Sequence, residues 1–256
     1  MLGQDIVRAT GSDAVALTRA DLDVTDAKAV RELLAGSTVI NCAAYTDVDG
    51  AEGDPEGAHA VNAEGARNVA EAAERVIHVS TDYVFDGSKR EPYVESDPIA
   101  PLSVYGASKA AGEQATAEAN PDHLIVRSSW LFGRGGRNFV ATMLALGRER
   151  GELRVVDDQV GCPTFTGHLA EALLTLAAGA ERGVLHVAAR NSCSWFEFAH
   201  EILSRGGVDS SVTPCTTEEF PRPARRPANS MLMSERGAPT LPTWQDGLDA
   251  YLGVPA

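Results

Sequence analysis

The sequence predicts an α/β fold, a doubly wound parallel sheet with a smaller C-terminal portion laid over it. Three observations carry this expectation. Short β-branched runs alternate with helical stretches over the first two-thirds of the chain, the pattern of strands joined by crossover helices. A chain of 256 residues, 44% hydrophobic and 23% charged, buries one substantial core and leaves no room for several independent domains. After Gly151 the texture changes to short strands, helices and a Pro-rich tract. The chain therefore divides into residues 1–150 and residues 151–256, the second portion closing a cleft over the sheet's carboxyl edge rather than folding alone.

Taken in order, Ala14 to Leu17 reads as a strand, and Thr25-Asp26 caps a helix from Ala27 to Leu34. Thr38 to Cys42 is the next strand, and a long helix runs from about Pro55, at a first-turn position, to Ala73. Val76 to Val79 is a buried strand, Tyr105 to Glu118 an Ala-rich helix, His123 to Arg127 a strand and Phe139 to Arg150 an amphipathic helix. Leu153 to Val156 and Val184 to Val187 are strands, alternating with helices at His168 to Ala178 and Ser194 to Ser204. From Pro214 to Pro242 the chain is Pro-rich and reads as irregular, because each residue before Pro is pushed out of the helical region.

The charge balance narrows the partners. Lys+Arg of 22 against Asp+Glu of 36 gives a net charge of -14, which repels polyphosphate backbones and anionic membranes and argues against nucleic acid. A small anionic ligand is still allowed, because backbone N–H groups or a single Arg hold a phosphate locally. Cys42, Cys162, Cys193 and Cys215 are too far apart for a metal knuckle or a dense disulfide framework and read as thiols of a reducing, cytoplasmic compartment. No ligand cluster for a metal stands out. The most apolar stretch, Leu169 to Ala180, is short of a membrane span and carries Glu171.

The chemistry-bearing signal is Tyr105-Gly106-Ala107-Ser108-Lys109. Tyr and Lys four apart share a helical face, so the ammonium is expected beneath the phenol, lowering a pKa that starts near ~10 and making Tyr105 a general acid for a ketone. Five Tyr and three Lys would give about 0.06 such pairs by chance. Upstream, Val76 to Val79 ends in Ser80-Thr81-Asp82-Tyr83, which places hydroxyls past a strand's carboxyl end, where open parallel sheets collect ligands. A hydroxyl there would hydrogen-bond the carbonyl oxygen that Tyr105 protonates. Asn41-Cys42-Ala43-Ala44 ends another strand with small residues that let a flat cofactor approach.

These segments resemble the extended short-chain dehydrogenase/reductase superfamily and, within it, the dTDP-4-dehydrorhamnose reductases. The likeness runs from Met1 to about Arg236 through Leu22-Asp23-Val24-Thr25-Asp26, Asn41 to Thr46, Ser80 to Gly87, Pro101 to Gly106, Arg127-Ser128-Ser129-Trp130, Gly136 to Phe139 and Val156 to Gly161. It implies a Rossmann-like sheet and an NADPH- or NADH-dependent oxidoreductase acting on the C4 keto group of a dTDP-sugar. Thr81, Tyr105 and Lys109 would be catalytic, with Lys109 also holding the nicotinamide ribose. Asp82 and Trp130 would join Thr81 and Tyr105 on the substrate, with Asn138 and Gln159 near the nucleotide. Asp23 and Val24 would line the adenine side, and Cys42, Ala43 and Ala44 would pass beneath the dinucleotide. Asn62 fits the helix Asn that braces the active-site strand. The partner set is a small nucleotide sugar and, in a homodimer, a second copy of the chain.

Two departures qualify the resemblance. The family opens with a strand and a G-x-x-G-x-x-G turn, whereas this chain starts Met1-Leu2-Gly3, which matches only the tail of that motif with Gly3 as its last glycine. The expectation is that roughly ten residues precede Met1 in the natural polypeptide, and that their absence leaves the Ala14 to Leu17 and Val76 to Val79 strands without the neighbour between them. Met1, Leu2 and Gly3 are then the cofactor contacts of that turn. The acidic residue that would hold a ribose 2′-OH is replaced by Thr18-Arg19, and Arg19 accommodates a 2′-phosphate, which favours NADPH. Two other readings stand beside the reductase. One is an epimerase or dehydratase on another nucleotide sugar, which would share the Tyr and Lys; the other is a catalytically silent binding subunit of the same fold.

Overall fold

A computed structural model describes residues 1–11 and 14–253. Helix α1 (Leu2–Thr10) opens the chain, and α2 (Ala27–Leu34) begins at Asp26, whose side chain accepts from Lys28 N and Ala29 N. Strand β1 (Thr38–Asn41) follows, then α3 (Pro55–His59) and α4 (Gly65–Ala72), joined by a π-helical turn at Ala60–Glu64. Next come β2 (Arg75–Thr81), α5 (Val104–Ala119), β3 (His123–Ser128) and α6 (Phe139–Glu149). The remaining elements are β4 (Glu152–Val156), α7 (Thr166–Ala178), β5 (Gly183–His186), α8 (Trp195–Arg205), β6 (Ser211–Cys215) and α9 (Trp244–Leu252).

The main sheet runs β1-β2-β3-β5 and is parallel throughout. On one face Leu2 and Ile6 of α1 and Leu169, Leu173 and Leu176 of α7 pack on Ile77, Leu124 and Val126. On the other, Val30 and Leu34 of α2 and Val69 of α4 pack on Val76. Burial on both faces is why β2 reads as an unbroken apolar run rather than an alternation. A second core gathers Phe132, Val140, Met143, Leu153, Phe198, Ile202, Trp244 and Leu248 between α6, α8, α9 and a two-stranded parallel sheet, β4 with β6.

Three expectations change here. Ala14 to Leu17 forms no strand, and Val15 is 88% exposed. The neighbouring sheet edge is β1, and no ladder reaches these residues. Strand β2 lacks no neighbour, because Val76 pairs with Val39 on one side and His123 on the other. Residues 151–256 share the main sheet with residues 1–150, β5 being its fourth strand, and α7 packs on α1. The Pro-rich tract also starts inside a strand, since Pro214 pairs with Val155 in β6. A two-stranded ribbon is all edge, and Pro is tolerated there.

What positions the site is the closeness of α5 to its surroundings. A Cβ on Gly112 would stand 2.0 Å from the Asn62 carbonyl oxygen in the π turn, and one on Gly106 would stand 2.3 Å from the Tyr83 carbonyl oxygen. Beneath α5 a buried chain of polar groups ties the strands together. Ser80 Oγ donates to Glu113 Oε1 at 2.5 Å, Arg127 donates to both Glu113 oxygens at 2.9 and 2.7 Å, and Arg127 Nη1 reaches His186 Nε2 at 3.3 Å. Helix propensity alone favours Ala over Gly by about 1 kcal/mol. Gly112→Ala is nonetheless expected to destabilise by about 2–4 kcal/mol, since neither backbone can retreat; the shift of the urea midpoint measures it.

Candidate active site

Three adjacent elements build the site. Strand β2 ends at Thr81, whose hydroxyl caps the following turn by accepting from Tyr83 N at 3.2 Å and donates to Asp82 Oδ1 at 3.1 Å. Helix α5 starts at Ser103, which accepts from Gly106 N at 3.1 Å, so that Tyr105 falls in the first turn. Its phenol meets the Thr81 hydroxyl, and its ring meets Tyr83 edge-on at 5.9 Å. The third element is the Pro-rich tract, in which sequence reasoning named no site residue. Ser230 lies beside Asp82, and Arg226 beside Tyr83. Asp49 holds the tract in place, accepting from Arg222 Nε at 3.0 Å, Ala224 N at 3.1 Å and Arg226 Nη2 at 2.9 Å.

Burial dominates the electrostatics. It pushes the Tyr105 phenol up to about 12 and lowers Lys109 to about 8. The expectation that Lys109 lowers the Tyr105 pKa is therefore not met. The Lys109 ammonium group lies against β2, with Nζ 2.7 Å from the Val79 carbonyl oxygen and 3.3 Å from His78 Nε2. Burial likewise pushes Asp82 up to about 7, and its Oδ2 has no partner. Ser128 Oγ, at the carboxyl end of β3, is also buried and without a partner. Two orphaned polar atoms at neighbouring strand ends leave hydrogen-bonding capacity for a ligand.

Trp130 is the site's strained residue. Its φ of 47° lies in the left-handed region, which is rare for a bulky side chain. Two neighbours hold it. Trp195 stacks on its ring with centroids 3.5 Å apart and planes 4° from parallel, and Gly161 lies so close that a Cβ there would stand 2.4 Å from Trp130 Cε2. Sequence reasoning named Trp130 and missed Trp195. The Ser194-x-x-Glu197 capping box around Trp195 signals only a helix start.

The other expected contacts fall into two groups. Met1, Leu2 and Gly3 form the start of α1, which has no side-chain cap, and Gly3 leaves that end open toward Cys42, since a Cβ on Gly3 would stand 4.0 Å from Cys42 Cβ. Cys42, Ala43 and Ala44 follow β1 as a small-residue floor. An uncapped helix start beside such a floor, with an unpaired buried lysine nearby, fits a dinucleotide. Arg19 and Asp23 stand exposed on the turns before α2, while Val24 packs into the core with Leu22 and Val30. Asn138 caps α6, accepting from Ala141 N at 3.0 Å and donating to the Gly133 and Gly136 carbonyls at 2.8 and 3.1 Å. Gln159 donates to Thr217 Oγ1 at 2.9 Å. Among the described residues no hydrogen bond or ion pair joins Arg19, Asp23 or Asn138 to Thr81, Tyr105 or Lys109. Asn62 accepts from Tyr45 N at 2.8 Å and donates to Ser108 Oγ at 2.9 Å, so it braces the segment after β1 against α5.

The family model described as RmlD substrate binding domain matches residues 1–254. This chain belongs to the RmlD substrate binding domain family. Among curated members, the dTDP-4-dehydrorhamnose reductase of Mycolicibacterium smegmatis is 45% identical over 264 residues, covering 98% of this chain and 81% of the relative. Two solved dTDP-4-dehydrorhamnose reductases share the fold. The one from Bacillus anthracis, in complex with NADP, has a TM-score of 0.94 at 39% identity and covers 98% of this chain and 94% of its own. The one from Clostridium acetobutylicum has a TM-score of 0.93 at 41% identity and covers 99% and 95%.

The RmlD-family site carries a pH signature. Asp82 titrates at a raised pKa in the folded chain, so its stability contribution is fully present below the ordinary carboxylate range and is lost as pH rises through about 7. Asp82→Asn should remove that loss, leaving the variant more stable than the parent by on the order of 2–4 kcal/mol at pH 8 and little changed at pH 4. Thermal melts across that range measure it.

Proposed function

We propose that this protein reduces the C4 keto group of dTDP-4-dehydro-6-deoxy-L-mannose to give dTDP-L-rhamnose. Bound NADPH supplies the hydride. The single observation that carries the reading is geometric: at a strand's carboxyl end the Tyr105 phenol, protonated at neutral pH, stands against Thr81, with Lys109 one helical turn further along α5. A phenol that keeps its proton is an acid, and a ketone gaining a hydride needs one at its oxygen. An epimerase or dehydratase would first need that tyrosine as a base. The silent-subunit reading would leave Thr81, Tyr105 and buried Lys109 together without a chemical reason.

In this reading Thr81 donates to the carbonyl oxygen as charge develops there, Tyr105 passes its proton to the same oxygen, and Lys109 stabilises the phenolate left behind. Trp130, stacked on Trp195, presents an aromatic face to the sugar. Asp82 Oδ2 and Ser128 Oγ offer their free capacity to sugar hydroxyls. The uncapped start of α1 (Met1, Leu2, Gly3) takes the pyrophosphate, over Cys42, Ala43 and Ala44. The acids next to Arg19 are engaged locally: Asp21 accepts from Thr18 N and Oγ1 at 2.9 and 2.6 Å, and Asp23 from Thr25 N and Oγ1 at 3.0 and 2.8 Å. Neither carboxylate is poised for a ribose 2′-OH, which supports Arg19 as the 2′-phosphate contact and NADPH as cofactor. A homodimer and a cytoplasmic location, the latter favoured by unpaired thiols, complete the reading.

Two measurements test it. NADPH oxidation with dTDP-4-dehydro-6-deoxy-L-mannose should fall by about 10²–10⁴ in kcat for Tyr105→Phe with cofactor binding retained; an unchanged rate removes Tyr105 from the mechanism. Arg19→Ala should lower the NADPH-to-NADH ratio of kcat/KM by about tenfold or more, in proportion to one lost charge-assisted contact.

A further inference from the structure

Lys109 is 2% exposed, and among the described residues no carboxylate lies within ion-pairing distance of it. Its nitrogen instead ends a chain of polar atoms whose direction can be worked out. Ala43 N lies 3.0 Å from Asn41 Oδ1, and a backbone N–H only donates, so the oxygen of that amide must face Ala43. The Asn41 NH₂ therefore faces His78, with Nδ2 3.3 Å from Nδ1. An amide NH₂ also only donates, so Nδ1 is the accepting, unprotonated nitrogen. His78 is completely buried, and burial, the larger cause, holds its pKa well below the usual histidine range. It is neutral, with its one N–H on Nε2. That N–H points at Lys109 Nζ, 3.3 Å away.

An ammonium has three donors and no lone pair, so it would meet this N–H donor to donor. A neutral amine accepts it and still donates to the Val79 carbonyl oxygen at 2.7 Å. The geometry points to Asn41 and His78 as positioning residues that set the charge of Lys109: a hydrogen-bond chain of fixed direction weakens the lysine's hold on its third proton. The groups facing Lys109 from each packed element are His78 on β2, the Cys42 thiol after β1 and Glu113 on its own helix. Cys42 is a neutral thiol, raised to about 11 by burial, and Glu113 is occupied by Arg127 and Ser80. Neither reverses the direction of the chain.

The consequence for turnover rests on the reading in which Tyr105 is the acid. In that reading, the chain acts on the same ammonium that stabilises the Tyr105 phenolate once the phenol has given its proton to the ketone.

The test needs no substrate, so its failure is distinct from failure of the Tyr105→Phe assay. With only Lys28, Lys89 and Lys109 in the chain, lysine labelled at Cε and Nζ gives few signals, and Lys109 is assigned from a Lys28→Arg, Lys89→Arg variant. Its proton affinity should be at least about tenfold below that of either other lysine, a pH midpoint lower by one or more. In the unsubstituted protein the imidazole ¹⁵N shifts of His78, assigned against His78→Phe, should show an unprotonated Nδ1 and a protonated Nε2. Asn41→Asp, which accepts at both oxygens, should exchange the two and raise the Lys109 midpoint. A protonated Nδ1 in the unsubstituted chain, or Lys109 titrating together with Lys28 and Lys89, overturns the proposal whether or not the Asn41 variant folds.

Discussion

The whole site depends on how closely one helix can lie against its neighbours. Helix α5 brings Tyr105 to the end of β2 and Lys109 to its middle only because Gly106 and Gly112 carry no side chain where the Tyr83 and Asn62 carbonyls press on it. Asn62 converts that proximity into a fixed position. From the π turn it holds the backbone of Tyr45 on one side and Ser108 on the other. A π turn is a helix carrying one residue too many, and such turns persist where the displaced residue has work elsewhere. Here the displaced segment is the one that reaches both the floor after β1 and helix α5.

The second constraint is a buried ion pair. Taking Glu113 and Arg127 out of water is expensive, and their attraction offsets this only because the remaining lone pairs and donors are met by Ser80 and His186. His186 passes the connection on, lying 3.1 Å from the Tyr93 and Met233 carbonyl oxygens. The last strand of the sheet, the loop after β2 and the C-terminal tract are thus locked to α5. That tract brings Ser230 to Asp82 and Arg226 to Tyr83, so a segment with little regular structure is held as firmly as a strand.

Much of this was legible because local rules and tertiary packing agree. The Asp26 cap and the apolar spacing behind it give α2 as Ala27–Leu34, and the doubly buried run Val76 to Val79 gives β2. Where a strand needs a partner, sequence misleads: Ala14 to Leu17 is a short apolar run with no ladder beside it, while β6 contains Pro214 and forms anyway because it pairs only once. Helix α9 follows Pro242 behind a Thr243–Asp246 capping box that a Pro-rich reading overlooks. Trp195 and the Asn41–His78 pair lie far from their partners in the chain, and nothing local announces the contact.

The i, i+4 spacing of Tyr105 and Lys109 specifies that both occupy one face of a helix, and they do. It says nothing about protons. An ammonium beneath the phenol would have lowered the pKa of Tyr105, whereas burial raises it and the lysine faces β2. Spacing is a property of the chain, and charge state is a property of everything packed around it: the desolvation of Tyr105, the Val79 carbonyl, the tautomer of His78 and the amide that fixes it. A motif of this kind therefore identifies which atoms can meet, and the polarity of the buried hydrogen bonds behind it decides which of them carries the proton when they do.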